Sequence, residues 1–431
     1  MNTLTTIVQK LWHAKLYFER EQWSTHTYLT EITWLLGLKL APCLGNFLPF
    51  HLQWKTLIQQ PADTQLIYYQ TVLQQMARLD DPYFASIYTQ ADTKLKTTEQ
   101  LQQLISTLSI LDQIAIEELG EIYENLLQHG ALENHECVIP PRALVDMLVI
   151  LMQPQSGELV LDPFAGVGSL LIAADQYMTV MCEDDYDLVH LQTVIGMEPE
   201  LHCYQLALMN CLLHQVVMNK TLPIIWDDCL LSEYHLPLAD VILSHLLFQP
   251  IDYQLCTELI QYCVRQLKFG GRAALIVPEE VLQFQYFKAE ICPELLQTRI
   301  LHTVLRLPVG IFYPYEIKAC VLFFRRGEML DESTHQIYFY DLRHQQPIFG
   351  KQFHLKREHL IQFEIAFGDD PNSYSSRNMQ QWHCLKPEEL VDNNLNIFPC
   401  ELEETTPNTS LLNILDNTVN ELEDVQRILQ N

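Results

Sequence analysis

The chain has 431 residues, and its 26 Lys and Arg against 54 Asp and Glu leave a net charge of −28. Hydrophobic residues make up 48% and charged ones only 19%, so the chain can bury a full core and is not a disordered acidic tail, and a surface this negative disfavours unaided binding to nucleic acid. The 12 cysteines form no CxxC pair and the 16 histidines show no ligand spacing, which argues against a zinc ribbon or a disulfide framework and for reduced, cytoplasmic thiols with no metal.

At ~150 residues per domain the length predicts two or three domains. The start, MNTLTTIVQK, lacks an apolar signal-peptide core, and Trp34 to Leu52 is broken by Lys39, Pro42 and Pro49 before the ~20 apolar residues that a membrane span needs. Residues 1–115 read as a helical domain, with apolar positions at three- and four-residue steps (Leu29, Ile32, Leu35, Leu36; Leu101, Leu104, Leu108, Leu111). The polar run Asp92 to Gln100 reads as a link between two of its helices.

From 116 to 345 short apolar runs alternate with helix-length segments. Strands are predicted at 158–162, 193–197, 224–225, 240–243, 272–277, 303–307 and 319–324, which suggests a doubly wound, Rossmann-like α/β sheet. An extension follows over 346–404, loop-like at 368–378. In the tail, 405–431, Leu411, Leu415, Thr418, Leu422, Val425 and Leu429 have the spacing of a coiled-coil seam. Its acidic residues would favour a partner's basic helix.

The most informative stretch is LVLDPFAGVGSLLIAA, Leu159 to Ala174: a strand ending in Asp162, a turn Ala165-Gly166-Val167-Gly168, and an apolar helix start. Such a turn lets a nucleotide approach the backbone, although a tight structural turn would look the same. Glu198, at the end of the second strand, is placed to accept both ribose hydroxyls of a nucleoside; Glu183 and Asp184 are rivals at a more usual offset of ~20 residues. Asp228 is a candidate acceptor for an adenine amino group, or else a helix N-cap. Arg325, Arg326 and Lys318 with Tyr313 and Tyr315 form either a basic, aromatic patch or a solvated face.

The ordered segments LGEIYENLLQHG (Leu119–Gly130), CVIPPRALVDMLVILM, DPFAGVGSLLI, IGMEPELHCYQLALMNCLLH, FGGRAALIVPEEVL and LHTVLRLPVGIFYPYEIKACVLFFRRG, continued through IYFYDLR and NLNIF over roughly 115–400, resemble the modification subunit of type I restriction-modification systems. These are adenine-N6 DNA methyltransferases that use S-adenosylmethionine. The resemblance implies a methyltransferase domain over 116–345. It makes Asp162, Ala165, Gly166 and Gly168 the methionine-side loop, Glu198 rather than Glu183 the ribose ligand, and Asp228 the adenine ligand. Pro141 and Arg142 would cover the methionine end, with Pro140 in place of a hydroxyl residue. A side chain at Gly168 would then block the cofactor.

One departure stands out. Where the resemblance implies Asn-Pro-Pro-Phe after the fourth strand, ADVILSHLLFQP supplies His245, Leu246, Leu247 and Phe248. In such enzymes the Asn side chain and a proline carbonyl accept hydrogen bonds from the target amine, and that alignment drives transfer. His245 offers one ring acceptor at most, and leucines do not fix the backbone as prolines do. Phe248 alone retains the base-stacking role, and a one-residue slip would put Ser244 in the Asn position. The expectation is a catalytically impaired homologue that works beside a specificity subunit or a second, active methyltransferase, with a restriction subunit as a further partner and DNA met only through the complex. The alternatives are an active methyltransferase and a non-enzymatic antirestriction protein.

Overall fold

The structure, a computed structural model, describes residues 3–20, 22–43, 48–133, 138–181, 194–216, 221–234, 236–248, 250–285, 288, 301–327, 336–343, 346–369 and 382–386. Glu183, Asp184 and the tail 405–431 lie outside these residues, as does most of 368–404.

The first part of the chain is helical as expected: α1 (Thr3–Glu19), α2 (Thr25–Leu40), α3 (Trp54–Ile58), α4 (Ala62–Met76), α5 (Pro82–Ile87) and α6 (Thr98–Leu108). The polar link ends earlier than its composition suggests. Thr97 and Gln100 form a capping box, in which Thr97 Oγ1 accepts from Gln100 N and Gln100 Oε1 from Thr97 N, both at 3.3 Å, so Thr98 to Gln100 belong to α6.

α7 (Ile116–Glu133) and α8 (Arg142–Met152) lead into the sheet. There follow β1 (Val160–Asp162), α9 (Ser169–Met181), β2 (Val194–Met197), α10 (Leu201–Leu213), β3 (Ile224–Ile225), β4 (Ala239–His245), α11 (Tyr253–Gln266), β5 (Leu267–Pro278), β6 (Leu301–Arg306), β7 (Ala319–Arg325), β8 (Ile337–Asp341), α12 (Ile361–Phe367) and β9 (His383–Leu385). Each predicted strand is present. β8 and β9 extend the sheet beyond them, and the period-two pattern of Ile337 and Phe339, both buried, was the signal for β8.

The strand order is β3-β2-β1-β4-β5-β7-β6-β8-β9. The strands β3 to β5 run parallel, and β7 is inserted antiparallel between β5 and β6. Parallel strands covered on both faces need continuous apolar runs, which is what VLD, VIGM and the fully buried centre of β4 supply. The order reverses between β1 and β4, so the loops leaving these two strands diverge and open a crevice at their carboxyl ends. α10 packs against α2, α5 and α7, bringing the N-terminal helices to that crevice.

The pairing corrects one expectation. Ala319 lies opposite Pro278 while Arg325 lies opposite Arg272, so Lys318 and Arg325 sit at opposite ends of β7, an interior strand, ~23 Å apart at ~3.3 Å per residue. Arg326 donates to Leu267 O at 2.6 Å and covers the Phe269 ring at 4.5 Å. The basic, aromatic patch is therefore not assembled. Among the described residues no helix is long and apolar enough to cross a membrane.

Candidate functional site

β1 ends at Asp162, and the turn to α9 is locked by Ala165 N donating to Met197 O at 2.8 Å and Gly168 N to Ala165 O at 2.9 Å. Both glycines are left-handed, Gly166 at φ +57° and Gly168 at φ +81°. Their surroundings differ. A Cβ on Gly166 would meet nothing within 4 Å, whereas one on Gly168 would lie 3.4 Å from Ile224 Cδ1 and 3.5 Å from Cys211 Sγ. Gly166 therefore opens to the crevice, and Gly168 packs on β3 and α10 without lining it, contrary to the expectation that a side chain there enters the site.

Glu198 closes the floor at the end of β2. Its Oε2 accepts from Gly166 N at 2.8 Å and its Oε1 from Glu200 N at 3.0 Å. It is 2% exposed, and burial pushes its pKa up to about 8. Asp162 is likewise buried and is pushed up to about 7, while its Oδ1 accepts from Ser244 Oγ at 2.7 Å and Phe164 N at 3.1 Å. Ser169, the first residue of α9, lines the crevice with a buried hydroxyl that has no partner. Asp228 also lines it. Its Oδ1 accepts from Leu230 N at 2.9 Å in a turn rather than at the start of a helix.

The tip of β4 is built differently from an open acceptor loop. β4 stays in register with β5 as far as His245 opposite Ile276, and Leu246 N then donates to Ile276 O at 2.8 Å. His245 is 8% exposed, its ring 5.6 Å from that of Phe312, and burial lowers its pKa to about 3, so it is a neutral imidazole whose Nε2 has no partner. Leu246 is fully buried and does not face the crevice; Leu247 is 3% exposed and lines it. Phe248 faces Phe164, with ring centroids 5.6 Å apart. Ser244 points to Asp162 instead of the crevice, which removes the one-residue slip as an acceptor.

These groups share a crevice of about 590 Å³ whose other walls come from Val138, Ile139 and Pro140, from Leu255 and Leu259 of α11, and from helices the sequence did not single out. Thr25, His26 and Leu29 of α2 and Leu127, Gly130 and Ala131 of α7 line it too. Their apolar spacing reads as ordinary core. Arg142 is not part of the lining. Its guanidinium donates to Glu124 at 2.7 Å, Asp146 at 2.7 Å and Gln176 at 2.9 Å, tying α8 to α7 and α9.

Residues 114–258 and 251–408 match the N-6 DNA methylase family. The methylase subunit of the type I restriction enzyme StySPI of Salmonella potsdam is 31% identical over 417 residues, covering 87% of this chain and 78% of that protein. The EcoKI methylase subunit of Escherichia coli K12 is 31% identical over 418 residues, with the same coverage. The crystal structure of the EcoKI M protein is 25% identical, covers 99% of this chain and 96% of its own, and superposes with a TM-score of 0.56. The type I methyltransferase subunit of Streptococcus thermophilus, 18% identical over 92% of this chain and 99% of its own, shares the fold with a TM-score of 0.71. The chain thus belongs to the N-6 DNA methylase family of adenine-N6 methyltransferases, alongside the methylase subunits of type I restriction enzymes.

Proposed function

We propose that this chain binds S-adenosylmethionine in the crevice but no longer transfers its methyl group to adenine in DNA. In this reading it serves in a restriction-modification assembly with a specificity subunit or a second, active methyltransferase, and a restriction subunit can join. The observation that carries the reading is the β4 tip, where Leu246 is paired into the sheet and His245 and Leu247 are buried.

The residues present fit the cofactor. Gly166 leaves a cradle that any Cβ would enter, and Ser169 offers a buried hydroxyl in want of a partner. Glu198 stands at the end of β2 beneath that cradle, and the volume suits a ligand of nucleoside size. Asp162 and Glu198 are held toward their neutral forms by burial, so the acidic side of the lining comes from Glu200 and Asp228, with no Lys or Arg among the lining residues to repel a cationic ligand. When bound, S-adenosylmethionine supplies an electrophilic methyl group. Transfer needs two acceptors that align an amine. Here the neutral His245 provides one at most, and the Leu246 carbonyl faces the Cys256 thiol at 3.9 Å.

Calorimetry with S-adenosylmethionine, followed by labelled methyl transfer to duplex DNA with a specificity subunit present, tests the proposal. Binding without transfer is expected. Robust N6-methyladenine, lost in Gly166→Val, would overturn the loss of chemistry. The charge of −28 favours a second reading, an antirestriction protein that occupies a partner's DNA-facing groove, and the absence of any cofactor affinity would select it.

A further inference from the structure

We propose that α2, which precedes the segment matching the methylase family, is a working wall of the cofactor crevice, with His26 contacting the ligand and His202 positioning that wall. The inference rests on the reading of the crevice as an S-adenosylmethionine site.

The geometry that carries it is a clamp between α2 and α10. Ser24 caps α2, its Oγ accepting from Thr27 N at 3.1 Å, and the first turns of the helix then present Thr25, His26 and Leu29 to the crevice. The His26 and His202 rings lie face to face, centroids 3.3 Å apart at 34°. His202 Nδ1 also meets Thr30 Oγ1 at 3.0 Å, one turn further along α2. His202 is thus held between two α2 side chains. It follows Glu198 by four residues, and both line the same crevice, so the stretch that carries the acidic floor is fastened to α2.

Close approach is built into the neighbouring helix. A Cβ on Gly130 of α7 would fall 2.7 Å from Leu29 Cδ1 and 3.4 Å from Thr25 Cγ2, so α7 and α2 approach closely here and any larger residue would make the Leu29 side chain move. The middle of α2 is anchored independently: the buried Glu31 carboxyl accepts from Thr93 Oγ1 at 2.5 Å, Lys94 N at 2.8 Å and Tyr69 OH at 3.1 Å. α2 therefore has its first turns at the crevice and its middle tied to the N-terminal helices. Burial and the adjacent His26 lower the pKa of His202 to about 3, so His202 meets α2 as a neutral imidazole. The N-terminal helices consequently register whether the crevice is filled.

The test uses the full chain, with S-adenosylmethionine binding followed by calorimetry and amide hydrogen exchange read over residues 25–30. His26→Ala is expected to weaken binding about tenfold, the value of one well-placed hydrogen bond, and, because the His26–His202 contact is lost with it, to lower the ligand-free melting temperature slightly. His26→Gln, which keeps a hydrogen-bonding side chain, should recover most of the affinity. Wild-type amides at 26–30 should exchange more slowly with ligand, a readout that needs no variant. An unchanged Kd in His26→Ala with unchanged exchange at 26–30, while Gly166→Val no longer binds, overturns this inference and leaves the cofactor reading intact. A wild type that binds no S-adenosylmethionine overturns both.

Discussion

The two glycines of the turn should fail in different ways when they are replaced. In Gly166→Val the new Cβ meets nothing of the protein within 4 Å, so the main folding cost is that of holding a non-glycine residue at φ +57°, about 1–3 kcal/mol. Set against the ~5–15 kcal/mol of a typical domain, this leaves the protein folded. The valine would nonetheless fill the cradle above Glu198. In Gly168→Val, by contrast, the Cβ already lies 3.4–3.5 Å from Ile224 and Cys211 and leaves little room for two methyls, adding about 1–3 kcal/mol of overpacking to the backbone strain. Urea unfolding with and without S-adenosylmethionine separates the two. At 100 times Kd the wild type should gain about 2.7 kcal/mol. Gly166→Val should gain nothing, and Gly168→Val should start from lower stability and gain in part. A Gly166→Val protein that is stabilised as much as wild type would refute the assignment of the cradle.

Further outcomes follow from the same geometry. Asp162 and Glu198 keep their protons in the folded state up to about 7 and about 8, against 3.8 and 4.5 ordinarily; their contribution is thus complete below the unfolded values and is lost as pH rises through the folded ones, so ligand-free stability should fall between about pH 4 and 8. Asp162→Asn, whose amide oxygen can accept from both Ser244 and Phe164, should flatten that slope and add on the order of 1–3 kcal/mol at pH 8.5; a slope unchanged in urea melts would refute the assignment. Leu246→Pro removes the donor to Ile276 O, 2.8 Å away in wild type, and should cost about 1–3 kcal/mol in chemical unfolding; equal stability would mean that this bond contributes nothing. Deleting 405–431 should leave S-adenosylmethionine binding intact and abolish capture of the specificity subunit in a pull-down; loss of cofactor binding would make the tail part of the fold.

What could be read in advance was what is local in sequence. A strand that ends in an acid, a glycine turn and an apolar helix start are consecutive, so the positions of Asp162 and Gly166 followed from order alone, whereas only the resemblance to the modification subunits separated Glu198 from Glu183. Which of two left-handed glycines faces a ligand depends on whether α10 and β3 come up behind it, and no spacing encodes that. The pairing of Lys318 with Arg325 failed for a plainer reason: the strand predicted over 319–324 lies between them, and extended chain of that length holds its two ends ~23 Å apart whichever way it runs. Arg142 went astray because a lone arginine beside a predicted site has no visible partners until α7 supplies Glu124. His26 and Leu29 were hidden because a helix face that lines a crevice has the same periodicity as one that lines a core.

The changes at the β4 tip all run in one direction, toward more sheet and more burial. An N–H at position 246, which proline would lack, finds the Ile276 carbonyl, worth about 0.5–1.5 kcal/mol net. A leucine at 247 that is 3% exposed contributes about 1.5–3 kcal/mol relative to a solvated one. An open acceptor loop forgoes such terms, because groups that must bond a substrate cannot also bond the protein. On the proposed reading the cofactor side would be spared because the link between the halves lies upstream of the β4 tip: Ser244 Oγ donates to Asp162 at 2.7 Å, and Asp162 accepts from the turn at Phe164 N. The tip can therefore close into the sheet without moving the glycine turn, so a lost transfer step and a retained cofactor site are compatible in one fold.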